Sequence, residues 1–295
     1  MGRKSLRWLL ALGLFGGLSC GATLPAQAAS PVWAIRGAHN TVYLAGSIHL
    51  LPPQDASLPA AFDRAYADSA KLVMELDLAK VDEVAAAGWM LEHGALPEGV
   101  RLRKVIGEER YARVSAAAAD LGLTSEILDG QAPWVVGIEL ADLEYVHLGF
   151  DPQQGVEEQL VRRAQADHKA TEGLETIDEE LGGLEALSHE DQLRMLDQTL
   201  DELKEPSTEL QDVLHAWRRG DAAKLAALLS REYQSFPALY RPLVTERNAH
   251  WVPHIEEMLR ANDNCLIVVG ALHLVGDGGL LELLRKDGFT AQQLN

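Results

Sequence analysis

The chain is short of cysteine and of basic residues, and both shortages narrow what the protein can be. Two cysteines occur in 295 residues, and 26 lysines and arginines stand against 44 aspartates and glutamates, which gives a formal net charge of -18. A chain this acidic lacks the positive surface that nucleic-acid phosphates and anionic lipid headgroups attract. We therefore expect neither nucleic acid nor an anionic membrane surface as a partner.

Apolar runs long enough to span a membrane are also missing from the sequence. The N-terminus has three basic side chains, then an apolar run over 8–18 that is too short to cross a bilayer, and a small-x-small cleavage site that ends at Ala28. This pattern predicts a signal peptide over 1–28 and an exported protein, periplasmic or secreted, without stable membrane insertion. Cys20 offers an alternative, a lipid anchor, but the residues before it match the leucine-first lipoprotein box poorly.

Removal of this leader would leave Cys265 as the remaining cysteine, which excludes an internal disulfide even in an oxidising compartment. Cys265 lies in an apolar run, where a buried structural thiol is favoured over a nucleophile. The rest of the chain shows no solenoid period and is long enough for one large domain. We therefore predict a single domain over 29–295.

What the sequence does contain is a pair of similar elements near its two ends. In each, an apolar run reaches a glycine and a histidine follows three residues later, from Gly46 to His49 and from Gly270 to His273. The apolar run predicts a buried strand, and the glycine suits a sharp turn at its end. One histidine after an apolar run is usually a core residue, but two such elements indicate a shared site.

The remaining pattern predicts an α/β fold with a central mixed β-sheet and flanking helices. Strands are predicted at 32–35, 41–45, 71–77, 169–175, 265–269 and 289–292, and a long helix at 239–259. Helical segments that are alanine-rich or acidic outside and leucine-lined inside cover about 81–148 and 177–231. We expect these two segments to form a mostly helical cap between the N- and C-terminal halves.

Glu75 falls within the third predicted strand, where a buried carboxylate is rare unless it is paired or bound to a metal. Parallel strands bring their ends to one edge of a sheet, so Glu75 can meet His49 and His273 there. Two histidines and a carboxylate, completed by water, suit a catalytic divalent metal. The alternative is a structural role, in which each histidine forms a hydrogen bond with a nearby carbonyl group.

Other polar residues give weaker signals. His250 and His254 have helical spacing, but no glutamate follows the first histidine and a proline stands between them. Ser47 lacks the Gly-x-Ser-x-Gly context of a nucleophile elbow. Arg247 is either a structural ion pair or a fixed cation that stabilises an oxyanion or orients the strand-end glutamate.

Six short motifs occur in a recognisable order along the chain. They are Gly46-Ser47-Ile48-His49, Met74-Glu75-Leu76-Asp77, Gly155-Val156-Glu157, Gly173-Leu174-Glu175-Thr176, Glu246-Arg247-Asn248 and Gly270-Ala271-Leu272-His273-Leu274-Val275-Gly276. In these motifs the chain resembles the TraB/PrgY/GumN family over about 31–294. That family is similar to the Tiki metalloproteases and, more distantly, to ChaN-type haem-binding lipoproteins and erythromycin esterases.

The resemblance implies divalent-metal-dependent peptide hydrolysis, with manganese, cobalt or zinc as the metal. The family signature of two Gly-x-x-His motifs, a glutamate and an arginine falls on His49, His273, Glu75 and Arg247. Because ligating histidines usually need a hydrogen-bond partner on the other ring nitrogen, Glu157, Glu175 and Asn248 are expected to support these residues. Glu157 departs from the family, which more often has aspartate after Gly-Val or Gly-Leu.

The leading hypothesis is thus an exported metal-dependent hydrolase of the peptidase type, acting on a peptide or small molecule. In it, His49, His273 and Glu75 bind the metal, and Glu75 acts as a ligand or general base. One alternative is a haem- or iron-binding protein that uses the same two histidines without chemistry. Another is a metal-independent esterase in which a histidine activates water.

Overall fold

A six-stranded mixed sheet lies at the centre of the computed structural model, which describes residues 29–204, 209–233 and 236–295. The strands are β1 Val32–Arg36, β2 Thr41–Ser47, β3 Lys71–Met74, β4 Ala170–Gly173, β5 Cys265–Gly270 and β6 Ala291–Gln293, in the spatial order β4-β3-β5-β2-β1-β6. Strands β2, β5, β3 and β4 are parallel to one another, whereas β1 is antiparallel to both β2 and β6. The predicted α/β class with a mixed sheet is confirmed.

The predicted signal peptide and its Cys20 alternative lie outside the described residues. In the part of the chain that is described, no helix is both long and apolar enough to cross a membrane.

Helices account for most of the remaining chain. They are α1 Ala60–Asp68, α2 Glu83–His93, α3 Leu102–Ile106, α4 Glu108–Asp120, α5 Pro133–His147, α6 Val156–Ala166, α7 Ile177–Glu185, α8 His189–Glu202, α9 Glu209–Arg218, α10 Ala222–Tyr233, α11 Pro237–Tyr240, α12 Glu246–Arg260, α13 Ala271–Leu274 and α14 Leu280–Lys286. A π-helical turn, Arg241–Thr245, joins α11 to α12, so the long helix predicted over 239–259 is interrupted near its start.

Local sequence explains where several elements begin. β5 is a run of apolar and β-branched residues that is buried throughout, as a central parallel strand requires. Pro133 opens α5 at a position where its missing N–H costs nothing. Thr176 caps α7 and exchanges hydrogen bonds with Glu179 in a capping box, which fixes the first residue of that helix.

Three apolar cores support the fold in the described part of the chain, the smallest of them around Trp134 of α5. The largest one covers the sheet and includes β5, the inner face of α12 and Trp217 of α9. A second core joins α3, α4, α5 and α8 through side chains such as Val114, Leu140 and Leu196. The helices predicted to form a cap therefore have packing of their own, and α5 carries one face toward the sheet edge where the strands end.

The strand order determines which strand ends lie side by side. β5 lies between β2 and β3, with Ser47 paired to Gly270 and Met74 paired to Val268. The carboxyl ends of all three parallel strands therefore reach one edge of the sheet, as expected for the sites of open α/β sheets. β3 ends at Met74, so Glu75 lies just past the strand and not within it as the sequence pattern predicted.

Candidate metal and catalytic centre

His49, Glu75 and His273 follow the ends of β2, β3 and β5 and converge beside Gly270. A Cβ atom on Gly270 would lie 3.4 Å from Glu75 Oε1, 3.4 Å from His49 Nε2 and 3.6 Å from His273 Cδ2. The backbone there has φ -48° and ψ 135°, which any residue can adopt. The backbone therefore does not require glycine through a sharp turn, as the sequence suggested, and a Cβ there would make ordinary contacts with three side chains at once.

Glu75 is buried and held from two sides. Its Oε1 accepts a hydrogen bond from the Gly270 N–H at 2.6 Å, and its Oε2 accepts one from Arg247 Nη2. Burial acts to raise the pKa of this carboxyl, but the facing charges of His273, Arg247 and His49 outweigh burial and lower the pKa to about 2. Glu75 is therefore ionised throughout the physiological pH range.

His273 is oriented by Asn248. The Asn248 side-chain amide donates to the His273 carbonyl at 3.1 Å and to the Gly278 carbonyl at 2.8 Å, which leaves its Oδ1 to accept from His273 Nδ1 at 2.8 Å. The proton consequently sits on Nδ1, and Nε2 presents a lone pair 3.9 Å from Glu75 Oε2. Burial lowers the pKa of His273 to about 4, so the ring is neutral near pH 7.

His49 is oriented in the same way by Glu157. Its Nδ1 lies 2.9 Å from Glu157 Oε1, and the Ser47 hydroxyl donates to the same oxygen. Glu157 raises the pKa of His49, and solvent screens this effect because the histidine side chain is 62% exposed in the cavity. Glu157 is brought close by Gly155, since a Cβ on that glycine would lie 2.1 Å from the His49 carbonyl oxygen.

Arg247, on α12, lies behind the three converging side chains and is buried. Its Nε donates to Glu175 Oε1 at 2.9 Å and its Nη1 to the Leu243 carbonyl at 3.1 Å, while Nη2 contacts Glu75 and Glu175. Burial acts to lower the pKa of Arg247, but the surrounding carboxylates raise it. Its donors are thus directed at protein acceptors, an arrangement that holds Glu75 and Glu175 in place.

Glu180 also belongs to this cluster, and the sequence interpretation missed it. Its Oε1 lies 3.8 Å from Arg247 Nη2, and burial together with the nearby Glu75 charge raises its pKa to about 7. The signal that could have found it is the capping box at Thr176, which starts α7 and sets Glu180 in its first turn next to Glu175.

Two overlapping donor sets could hold a metal ion at this site. Among the residues that the structure describes, the three-ligand group whose atoms lie within 4.8 Å of one another is Glu75, Glu175 and Glu180. In the predicted set of His49, His273 and Glu75, Nε2 of His273 already lies 3.3 Å from Arg247 Nη1, so a metal ion held there would displace this contact. Glu75 is common to both sets, and in the acidic set Glu175 and Glu75 are already bonded to Arg247.

The other residues that the sequence analysis considered lie away from the centre or form different hydrogen bonds. His250 and His254 are exposed on α12, with Pro253 inside the helix. Ser47 is buried, and its hydroxyl is committed to Glu157. Cys265 is a buried free thiol in β5, and burial raises its pKa to about 11, so its structural interpretation agrees with its position.

A cavity of about 420 Å³ opens beside the converging strand ends. The cavity is lined by His49, Glu75, Glu157 and Glu180 and by apolar side chains from the sheet edge. Asp142 of α5 lines it from the side of the helical cap. The site therefore presents His49 and buried carboxylates to an open cavity, with His273 next to Glu75, and the parallel strands of an α/β sheet position these groups.

This combination of sheet and site defines an α/β protein with an acidic, histidine-containing centre at the carboxyl ends of its strands. The sequence model of the TraB/PrgY/gumN family matches residues 31–293, and the chain belongs to that family. The membership expected from the six motifs is confirmed.

Two curated relatives are similar along most of their length. The uncharacterized protein YbaP of Escherichia coli K12 is 25% identical over 268 residues, which cover 86% of this chain and 97% of the relative. The protein of the same name from Shigella flexneri is 26% identical over 243 residues, or 82% of this chain and 87% of the relative. No solved structure matches the chain.

Proposed function

We propose that this chain is an exported, divalent-metal-dependent hydrolase that acts on peptides. The observation that carries the proposal is the matched orientation of the two histidines. In each, Nδ1 is engaged by a side-chain oxygen, of Glu157 for His49 and of Asn248 for His273, and Nε2 lies toward the corner that Glu75 occupies, where Arg247 Nη1 is 3.3 Å from Nε2 of His273. Ligating histidines in metal sites characteristically donate their second nitrogen to such a partner.

The chemistry of the donors fits a divalent cation. His49, His273 and Glu75 would hold it, and manganese, cobalt and zinc all accept imidazole nitrogen and carboxylate oxygen together. The low pKa of His273 keeps a lone pair on its Nε2 near pH 7, and a bound cation would replace the contact of this atom with Arg247 Nη1. When bound, such a cation polarises a carbonyl group and makes water a stronger acid.

The protein groups around the centre have distinct tasks in this proposal. Both oxygens of Glu75 already accept hydrogen bonds, which favours a fixed anionic ligand over a mobile general base. Arg247 orients Glu75 and Glu175, and because its donors are directed at protein acceptors, this role is better supported than direct oxyanion binding. Asn248 accepts a hydrogen bond from Nδ1–H of His273, which leaves its Nε2 unprotonated, and Glu157 orients the His49 ring. Glu157 also raises the pKa of His49 to about 10, so a metal ion bound at its Nε2 would displace a proton.

The haem alternative finds less support in this geometry. His49 and His273 approach the same point beside Gly270, and the Glu75 carboxylate lies at that point with them. A macrocycle held by both rings needs open space between them. The metal-independent esterase alternative remains testable, because its hydrolysis would survive chelation.

Metal content and peptide turnover test the proposal directly. Wild type, His49→Ala, His273→Ala and the exposed control His254→Ala are purified in parallel and compared by elemental analysis and by cleavage of a peptide library. We expect wild type and His254→Ala to retain metal and chelator-sensitive cleavage, and the other two variants to lose both. Equal metal content and equal turnover in all four proteins would overturn the proposal.

A further inference from the structure

The cavity above the candidate centre has a charge pattern that indicates what it binds; the inference deepens the proposed function and rests on it. Among the described residues, the cavity lining has no lysine or arginine and five carboxylate side chains, which are Glu75, Asp142, Glu157, Glu158 and Glu180. An open cavity with this lining repels anionic ligands and concentrates cationic ones.

Three of the five carboxylates are compensated by protein cations at the cavity floor. Glu75 bonds Arg247, Glu180 lies 3.8 Å from the same guanidinium, and Glu157 bonds His49. These groups belong to the candidate centre, so they do not account for an additional charge preference.

The other two carboxylates lie on the walls and are poorly compensated. Glu158 is 3.8 Å from Arg162 one turn along α6, with both side chains about half exposed, so the pair is weak. In the described part of the chain, no lysine or arginine nitrogen lies within 4.0 Å of Asp142, and no hydrogen bond ties its carboxylate. Burial raises the pKa of the Asp142 carboxyl and the facing charge of His49 opposes this effect. Because His49 is bonded to Glu157, Asp142 faces the cavity without a hydrogen-bonded counter-charge among the described residues.

The surroundings of Asp142 add an apolar component. Val146 follows it by one turn of α5, lines the same cavity and is 52% exposed. Leu50, Leu76 and Leu78 line the cavity from the sheet side. A ligand that satisfies Asp142 therefore also meets aliphatic surface.

We propose that the cavity selects substrates that carry an ammonium or guanidinium group next to an aliphatic side chain, and that Asp142 is the carboxylate that determines this preference. The peptide substrate of the proposed hydrolase is then basic and aliphatic near the bond that is cleaved. Glu158 reinforces the preference from the opposite helix, α6. An acidic residue in the same position of the substrate is repelled by both carboxylates.

Binding and cleavage of matched peptides test this inference separately. The probes are fluorescein-labelled hexapeptides of leucine and alanine that differ only in a central lysine, glutamine or glutamate. Fluorescence polarisation, read before measurable cleavage, gives the affinity, and chromatography of the same mixtures gives kcat and KM. The proteins are wild type, Asp142→Asn, Asp142→Lys and the control Asp120→Asn, which removes an exposed carboxylate at the end of α4.

We expect wild type and Asp120→Asn to bind the lysine peptide about tenfold more tightly than the glutamine peptide, with the glutamate peptide weakest. Asp142→Asn brings the lysine and glutamine peptides within about twofold of each other, and Asp142→Lys reverses the order. Circular dichroism confirms that the variants are folded. Equal affinity of wild type for the lysine and glutamine peptides, or an unchanged preference in both Asp142 variants, would overturn the inference.

The two readouts separate this inference from the proposed function. Selective binding of the lysine peptide without cleavage would leave the charge preference standing and remove the proposed hydrolysis. Cleavage at the same rate whichever residue is central would support the proposed hydrolysis and remove the charge preference.

Discussion

Asn248 contacts His273 twice, through its Oδ1 to the ring Nδ1 at 2.8 Å and through its amide to the His273 carbonyl at 3.1 Å. One buried side chain thereby fixes both the backbone and the ring of a residue in the short helix α13. The orientation of the His273 ring, and so the direction of its Nε2 lone pair, depends on α12 as much as on β5.

Removal of this contact is predicted to weaken metal binding. Asn248→Ala takes away the acceptor for Nδ1–H, and loss of such a partner typically costs about 10–100-fold in metal affinity. Asn248→Asp keeps an acceptor oxygen and should recover part of the loss. Competition with a chromophoric chelator measures the affinity, and an alanine variant that binds metal as tightly as wild type would show that Asn248 has no role in orienting the ring.

A methyl group at Gly270 is predicted to abolish turnover without unfolding the protein. The backbone angles there suit alanine, and the new Cβ would make ordinary contacts of 3.4–3.6 Å, but with Glu75, His49 and His273 at once. We expect Gly270→Ala to lose more than about tenfold in kcat/KM because the methyl occupies the space among the three groups.

Gly88→Ala, in α2 where a Cβ meets nothing within 4 Å, is the matched control for Gly270→Ala. It should be as active as wild type and more stable by roughly 0.5–1 kcal/mol. Thermal unfolding and peptide cleavage are followed for both variants. Full activity of Gly270→Ala would contradict the convergence of functional groups at this position.

The pH dependence of stability should carry the signature of His273. Its folded-state pKa of about 4 lies below the ordinary value of 6.5, so the unfolded chain takes up a proton first as the pH falls. The resulting stability is fully present above pH 6.5 and is lost as the pH falls to about 4. Its size is roughly 3 kcal/mol, from 1.36 kcal/mol for each pKa unit.

Urea unfolding in the presence of a chelator, repeated at several pH values, measures this contribution of His273 to the free energy of unfolding. His273→Gln should show a flatter dependence of unfolding free energy on pH than wild type within that window, and the exposed control His254→Gln should follow wild type. Parallel curves for wild type and His273→Gln would mean that His273 is not held neutral by burial.

Ser47→Ala is predicted to remain active. The Ser47 hydroxyl donates to Glu157, so its loss removes one hydrogen bond behind His49, worth about 1 kcal/mol, and leaves the His49 contact with Glu157 in place. Turnover should stay within about fivefold of wild type, because a loss of about 1 kcal/mol changes a rate by no more than about this factor. A complete loss of cleavage in a folded Ser47→Ala protein would contradict this prediction and support Ser47 as a nucleophile.

The convergence of His49, Glu75 and His273 could be predicted because it depends on a general property of parallel strands. Apolar β-branched runs mark buried strands, and the ends of parallel neighbours share an edge, so the residues just after each run are brought together. The insertion of β5 between β2 and β3 could not be read from these patterns, since register and strand order depend on packing across the whole sheet.

Asp142 could not be predicted from the sequence, and the one signal for Glu180 was its place in the first turn after the capping box at Thr176. Both lie on helices whose acidic residues are mostly solvated, and only the packing of α7 and α5 against the sheet edge separates these two from the others. The end of β3 at Met74 is likewise a tertiary effect, because the Leu174 and Glu175 N–H groups both donate to the Glu75 carbonyl and bend the chain there.

The place of β5 in the sheet has a consequence for the order in which the centre comes into being. β5 is the last of the four parallel strands to be synthesised, yet it lies between two that are made early. Gly270 and His273 can join the residues after β2 and β3 only when this late strand inserts, a long-range step that costs loop entropy. A growing chain that ends before Cys265 carries His49 and Glu75 but no assembled centre, so the centre forms only when synthesis is nearly complete.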